Sequence, residues 1–223
     1  MSEETIFREV DEEVRQEELK KLWDKYGVFV IAAAVVIVLA VAGMKGWKAW
    51  TKSRIEASGA DFAQAMALAD SGKIAQAEEK LKALASSGAG GYKALARIKA
   101  ADLIVKDKVA QVAAFDAIAR DTGIDETLRQ MARIRAAYLR LDEADKGEME
   151  SRLKGLDDPL SPWRHTAREL LGLHAWKRGE YEKAGKYFSQ ILADAATPRD
   201  IRVRAAQMRD LIAPHLSGKA ASK

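Results

Sequence analysis

The sequence predicts an all-α protein in which an N-terminal single transmembrane helix is followed by a solenoid of helical hairpins. The first observation is a run of 19 residues without a charge, at positions 26–44. The second is that apolar residues recur at helical spacing behind this run, with short connectors of Gly, Ser or Asp between them. The third is a composition rich in alanine with only 4 prolines, which favours helices over strands.

Residues 26–44 are predicted to cross a membrane once. As a helix they reach roughly 28 Å, close to the hydrocarbon thickness of a bilayer. A cleaved signal peptide fits poorly, because a long charged segment precedes the run and residues 44–47 form a poor cleavage site. A buried core helix is the other alternative. The positions that mark this contact with the lipid bilayer are Tyr26, Val28, Phe29, Val36 and Met44.

Residues 1–25 are predicted to form an acidic amphipathic head, with nine acidic and five basic side chains. Phe7, Val10 and Val14 fall at helical spacing within it. Two interpretations stay open: a solvated helix that leads into the membrane, and a docking helix for a partner protein. Four Lys and Arg side chains lie near each end of the span, so the positive-inside rule leaves its orientation open.

Residues 45–215 are predicted to form a repeat domain, and residues 216–223 a disordered tail. Ile74 and Val109 begin corresponding helices 35 residues apart, and Tyr181 follows Val109 after 72 residues. A two-helix repeat of about 34 residues is the spacing of the tetratricopeptide repeat. An irregular helical bundle is the alternative. In the helix near residue 134 we expect Ile134 and Tyr138 to belong to the apolar face.

The clearest unit lies at residues 171–188. Leu171-Gly172 is followed by Gly179, Ala184 and Phe188, which resembles the tetratricopeptide pattern. The small residues Gly172 and Ala184 let two helices approach closely, whereas Gly179 ends the first helix.

The residues that usually carry chemistry do not form a recognisable site. The chain has no cysteine, which excludes disulfides and thiolate metal sites. His165, His174 and His215 lack the spacing of metal ligands, and we expect them at the surface or at an edge of the fold. Four arginines on the helix near residue 134 most simply form its solvated side, although they could receive an acidic peptide. We predict no enzyme activity, cofactor, metal, nucleic-acid partner or small-molecule substrate.

Together, the acidic head, the single span and the divergent repeats resemble the ancillary SecYEG translocon subunit family of Gram-negative inner membranes. The segments that carry the resemblance are residues 6–15, 22–27 and 71–77. It implies a cytoplasmic N-terminus, a periplasmic repeat domain, and a role in passing secreted proteins from the SecYEG translocon to periplasmic chaperones. Two other functions stay open: a scaffold for envelope assembly or cell division, and a membrane-anchored regulatory subunit.

The resemblance also implies a partner-binding groove along the first helix of each hairpin. In the clearest unit the expected groove residues are Glu169, Leu173, Trp176 and Lys177. In the first unit they are Phe62 and Met66.

Overall fold

The computed structural model describes the backbone of residues 3–104 and 106–220, and the side chains of residues 20, 23–104 and 106–216. The described residues form α-helices and contain no strand, which confirms the all-α prediction. The helices are α1 Glu3–Asp70, α2 Ile74–Ser87, α3 Tyr92–Asp102, α4 Lys108–Arg120, α5 Glu126–Arg140, α6 Lys146–Leu153, α7 Arg164–Lys177, α8 Tyr181–Ala193 and α9 Arg199–Ala220.

The chain divides into two compact units, Met1–Ala57 and Ser58–Lys223. In the first unit, α1 contains the single described segment that is long and apolar enough to cross a membrane. Its apolar side chains face outward: Val28 is 76% exposed, Phe29 71% and Val36 64%. Tyr26 and Met44 are also exposed. A helix this apolar and this exposed has the properties of a lipid-facing span.

The second unit is built from helix pairs that share their cores with the next pair. One core cluster joins α1, α2 and α3 around Leu81. The next joins α3, α4 and α5 around Phe115, and a third joins α5, α6 and α7 around Met149. The last joins α7, α8 and α9 around Phe188. Because each cluster draws on three consecutive helices, no hairpin buries its apolar face alone, which is how a helical solenoid is stabilised.

Two turn glycines end the first helix of a hairpin in the same way. Gly72 follows α1 with φ 78°, and Gly179 follows α7 with φ 74°. The amide of Lys73 donates to the Leu68 carbonyl at 2.9 Å, and that of Glu180 donates to the Ala175 carbonyl at 2.9 Å. These are Schellman ends, in which a left-handed residue satisfies the last helical carbonyls.

Residues 3–70 form one helix, so the predicted head and span share a continuous helical backbone. Helix α6 begins at Lys146 because Asp145 caps it by accepting from the Glu148 amide at 2.8 Å. Helix α9 continues to Ala220, past the predicted end at 215. The sequence predicts an apolar face at residues 7–14, but their side chains are not among those that the structure describes. Residues 221–223 also lie outside the described residues.

Candidate functional site

Polar pairs join the first helices of successive hairpins along one side of the repeat unit. Asp102 of α3 forms an ion pair with Arg135 of α5, with Oδ1 and Nη1 3.5 Å apart. The end of α5 is linked to α7 by an ion pair between Asp142 and Lys177. Glu169 of α7 binds Arg204 of α9 through two contacts of 2.6 and 3.0 Å. We call the side chains that these pairs join, together with the exposed residues between them, the first-helix face.

The electrostatics of the face follow from these pairs. The Lys177 ammonium holds the pKa of Asp142 below its ordinary value, chiefly through the hydrogen bond between them. The Glu169 carboxylate raises the pKa of Arg204 by the same kind of contact. Each charge of these pairs therefore lies beside an opposite one, which lowers the attraction of the pairs for a charged partner.

Tyr138 lies in the middle of the first-helix face and is 66% exposed. It follows Arg135 by three residues, so both project from the same side of α5, and Asp142 lies two residues past the end of that helix. Arg135 is held by α3 and Asp142 by α7, which leaves the ring between two fixed polar pairs. Tyrosine is one of the residue types that are enriched among the side chains contributing most to protein–protein binding.

The sequence placed Tyr138 on the apolar face of its helix, and this expectation is wrong. Ala132, Ala136 and Ala137 are fully buried and form the core side of α5 together with Ile134. Three alanines line the buried side of α5, whereas the ring of Tyr138 is exposed beside it. The signal that could have identified it is the Arg-x-x-Tyr-x-x-x-Asp spacing at residues 135–142, which puts a ring among charges.

The predicted groove residues of α7 lie on or beside this face, but each is engaged within the domain. Glu169 binds Arg204, and Lys177 binds Asp142. Leu173 and Trp176 are partly buried against the core shared by α7, α8 and α9. These four side chains therefore stabilise the first-helix face, and Tyr138 is the large side chain that is most exposed on it.

The predicted groove residues of the first hairpin lie at the other end of the solenoid. Phe62 is partly buried against the core of α1, α2 and α3, with its ring centroid 5.9 Å from that of Tyr92. Met66 is also partly buried. Because one set lies on α1 and the other on α7, with α3 and α5 between them, the structure does not bring the two predicted sets together.

Two clefts open on the opposite side, between second helices. The cleft between α2 and α4 has a volume of about 350 Å³ and an alanine-rich floor, with Glu78, Lys82 and Arg97 at its rim. Small side chains at the floor leave room for an apolar group from outside. Arg97 also binds Asp121, and this hydrogen bond lowers the pKa of that carboxyl group.

The second cleft, between α4 and α6, has a volume of about 330 Å³ and is occupied by a connected set of charges. Glu148 accepts from Arg140 and from Arg152, and Arg152 also binds Asp116 at 2.5 Å. The hydrogen bond from Arg140 is the main cause that lowers the pKa of Glu148 to about 2, and burial opposes it. Because these charged side chains form ion pairs with one another, we interpret them as a network that stabilises the fold.

Two of the histidines are buried, which corrects the expectation that they lie at the surface or at an edge of the fold. His165 is 7% exposed, and its Nε2 lies 2.9 Å from Oδ2 of Asp194. His174 is 6% exposed and donates from Nε2 to the Ala144 carbonyl at 3.0 Å. Both link α7 to a neighbouring turn. Within the described residues, no group of three or more His, Asp or Glu side chains is arranged to hold a metal.

The comparisons with known proteins give one match. A family model described as a tetratricopeptide repeat-like domain matches residues 20–211. No curated protein matches the chain, and no solved structure does.

Proposed function

The chain belongs to the tetratricopeptide repeat-like domain family, and we propose that it is a membrane-tethered scaffold that binds other proteins through the first-helix face. Repeat domains of this kind mediate protein–protein interactions, and their fold is typically not that of an enzyme. The observation that carries the proposal is the exposed ring of Tyr138, framed by fixed polar pairs, in a chain that also has a candidate membrane span.

At a finer level, the proposed role is that of an accessory subunit of the SecYEG translocon. The support is the resemblance at residues 6–15, 22–27 and 71–77. In this arrangement residues 1–25 lie in the cytoplasm and residues 26–44 cross the bacterial inner membrane. The repeat domain at 45–215 then lies in the periplasm and passes secreted proteins to periplasmic chaperones.

The mechanism of such a scaffold is local concentration. A membrane tether keeps the repeat domain close to the channel exit, so an emerging chain meets it far more often than a freely diffusing protein would. Tyr138 offers a rigid aromatic contact at a low entropic cost, whereas the paired charges around it exclude water without binding tightly. Weak, repeated contact suits a protein that must release its client.

Photocrosslinking in cells tests this proposal. A photoreactive phenylalanine analogue at Tyr138 should crosslink to secreted polypeptides or to a periplasmic chaperone. The same analogue at Val109, which is 78% exposed on the second helix of a hairpin, is the matched control and should not. Equal crosslinking from both positions would contradict binding through the first-helix face. If neither position gave a crosslink, the scaffold role itself would be contradicted.

Two further measurements test the finer level. Analogues at Phe29 and Val36 in the span should crosslink to channel subunits. A reporter fused after Lys223 should be active only outside the cytoplasm, and activity only inside would contradict the proposed topology.

A further inference from the structure

The segment of α1 directly behind the span has an unbalanced charge. Residues 45–56 contain four basic side chains and one acidic side chain, Glu56, which gives a net charge of +3. The twelve residues before the span, 14–25, also contain four basic side chains, but three acidic ones reduce their net charge to +1. The number of positive charges is equal on the two sides, but the net positive charge is larger on the repeat-domain side.

Three of these charges share one side of the helix. Lys45, Lys48 and Lys52 are three and seven residues apart within α1, which places them in an arc of about 60°. All three are exposed. Lys52 and Glu56 are 3.7 Å apart with side chains that are 77% and 66% exposed, and such a solvated pair does not remove the positive field of the lysine.

Aromatic side chains place this cluster at the depth of lipid headgroups. Trp47 is 66% exposed and Trp50 is 52% exposed, with their ring centroids 5.3 Å apart. Exposed tryptophans next to a span settle at the boundary between hydrocarbon and water. From Lys45 to Lys52 the helix rises only about 10 Å, and the long lysine side chains can reach the headgroup region over that distance.

We propose that Lys45, Lys48 and Lys52 form a binding surface for the phosphate groups of anionic phospholipids, in the leaflet on the repeat-domain side of the span. The occupant follows from charge complementarity and from continuity with the apolar helix, which already places the lysines among headgroups. Lysine near an anionic bilayer attracts it with an energy that corresponds to about five-fold enrichment per side chain. This inference rests on the membrane span that the proposed function includes, but it does not depend on any protein partner.

The test measures which lipids surround the segment in the full-length chain. Because the chain has no cysteine, Ser53→Cys gives one site for a fluorescent label beside the lysines. The protein is reconstituted in phosphatidylcholine vesicles with a fixed fraction of phosphatidylglycerol, and either lipid carries a quencher near its headgroup. We expect the labelled phosphatidylglycerol to be enriched at least about five-fold around residue 53, and this enrichment to fall as salt is added. In the variant with Lys45→Gln, Lys48→Gln and Lys52→Gln it should disappear.

The matched control removes the same number of lysines on the other side of the span. The variant with Lys20→Gln, Lys21→Gln and Lys25→Gln should keep the full enrichment at residue 53. Equal quenching by the two lipids in the wild-type chain would overturn the inference, as would equal losses in the two triple variants. Both leaflets of the vesicles have the same composition, so the result does not depend on the orientation of the chain. The lipid measurement is also independent of the crosslinking experiment, so a failed crosslink from Tyr138 would not change its outcome.

Discussion

Gly172→Ala should destabilise the repeat domain, although alanine favours helices more than glycine does. Gly172 is buried in α7 and faces the ring of Phe188 in α8. An added Cβ atom would lie 2.9 Å from Cζ, 3.0 Å from Cε2 and 3.2 Å from Cε1 of that ring. Phe188 is fully buried, so the ring cannot turn out of the way.

The expected magnitude is the difference between two effects. Inserting a methyl group into a packed core costs about 1–3 kcal/mol. Replacing glycine by alanine in a helix returns about 0.5–1 kcal/mol. We therefore expect the free energy of unfolding to fall by about 1–2 kcal/mol, measured by urea denaturation of the full-length chain in detergent with helical circular dichroism as the signal.

Two further variants test whether the contact with the Phe188 ring causes the loss of stability. Gly185→Ala gains the same helix preference, but its Cβ would meet only Leu216 at 3.6 Å and Ile212 at 3.9 Å, which are ordinary contacts. It should be neutral or slightly stabilising. Phe188→Leu removes the ring atoms nearest to Gly172, so in that background Gly172→Ala should cost nothing. The reasoning is refuted if Gly172→Ala is as stable as the wild-type chain, or if its full cost persists in the Phe188→Leu background.

Two further predictions concern a charge and a turn. The pKa of Glu148 is lowered to about 2 from 4.5, so its stabilising contribution of about 1–3 kcal/mol is present above pH 4.5 and lost as pH falls towards 2. The stability difference between wild type and Glu148→Gln should therefore shrink over that range in urea titrations, and a constant difference would contradict the effect. Gly179→Ala should cost about 1 kcal/mol because φ is 74°, whereas Gly91→Ala, at φ −70° and with open space around it, should cost nothing measurable.

The candidate span, the hairpins and the turn glycines could be predicted because each rests on a local rule. A charge-free run of bilayer length predicts a helix long and apolar enough to cross a membrane, and a glycine three residues past the last apolar position of a helix predicts its left-handed end. Gly72 and Gly179 both have that conformation, with nearly the same hydrogen bonds. These features depend on neighbours in sequence, so a single sequence is enough to find them.

The candidate site could not be predicted, since it depends on which helices become neighbours. Tyr138 looks apolar in its own helix, whereas three alanines line the buried side of α5 and the ring is exposed beside them. The same is true of His165, whose partner Asp194 lies 29 residues away in the turn before α9. A polar side chain can be buried when the fold supplies a partner for it, and that partner is not visible in the local pattern.

The polar pairs of the repeat unit also explain why the two proposed surfaces of the chain should respond differently to salt. On the first-helix face each charge already has a partner about one repeat away, as in Asp142 with Lys177 and Glu169 with Arg204. A protein that binds over Tyr138 therefore gains mainly from apolar contact, which salt screens little. The lysines behind the candidate span are solvent-exposed, and their attraction for anionic lipid decays within a Debye length. Added salt should thus loosen the lipid contact and spare the protein contact, which separates the tether from the scaffold in one titration.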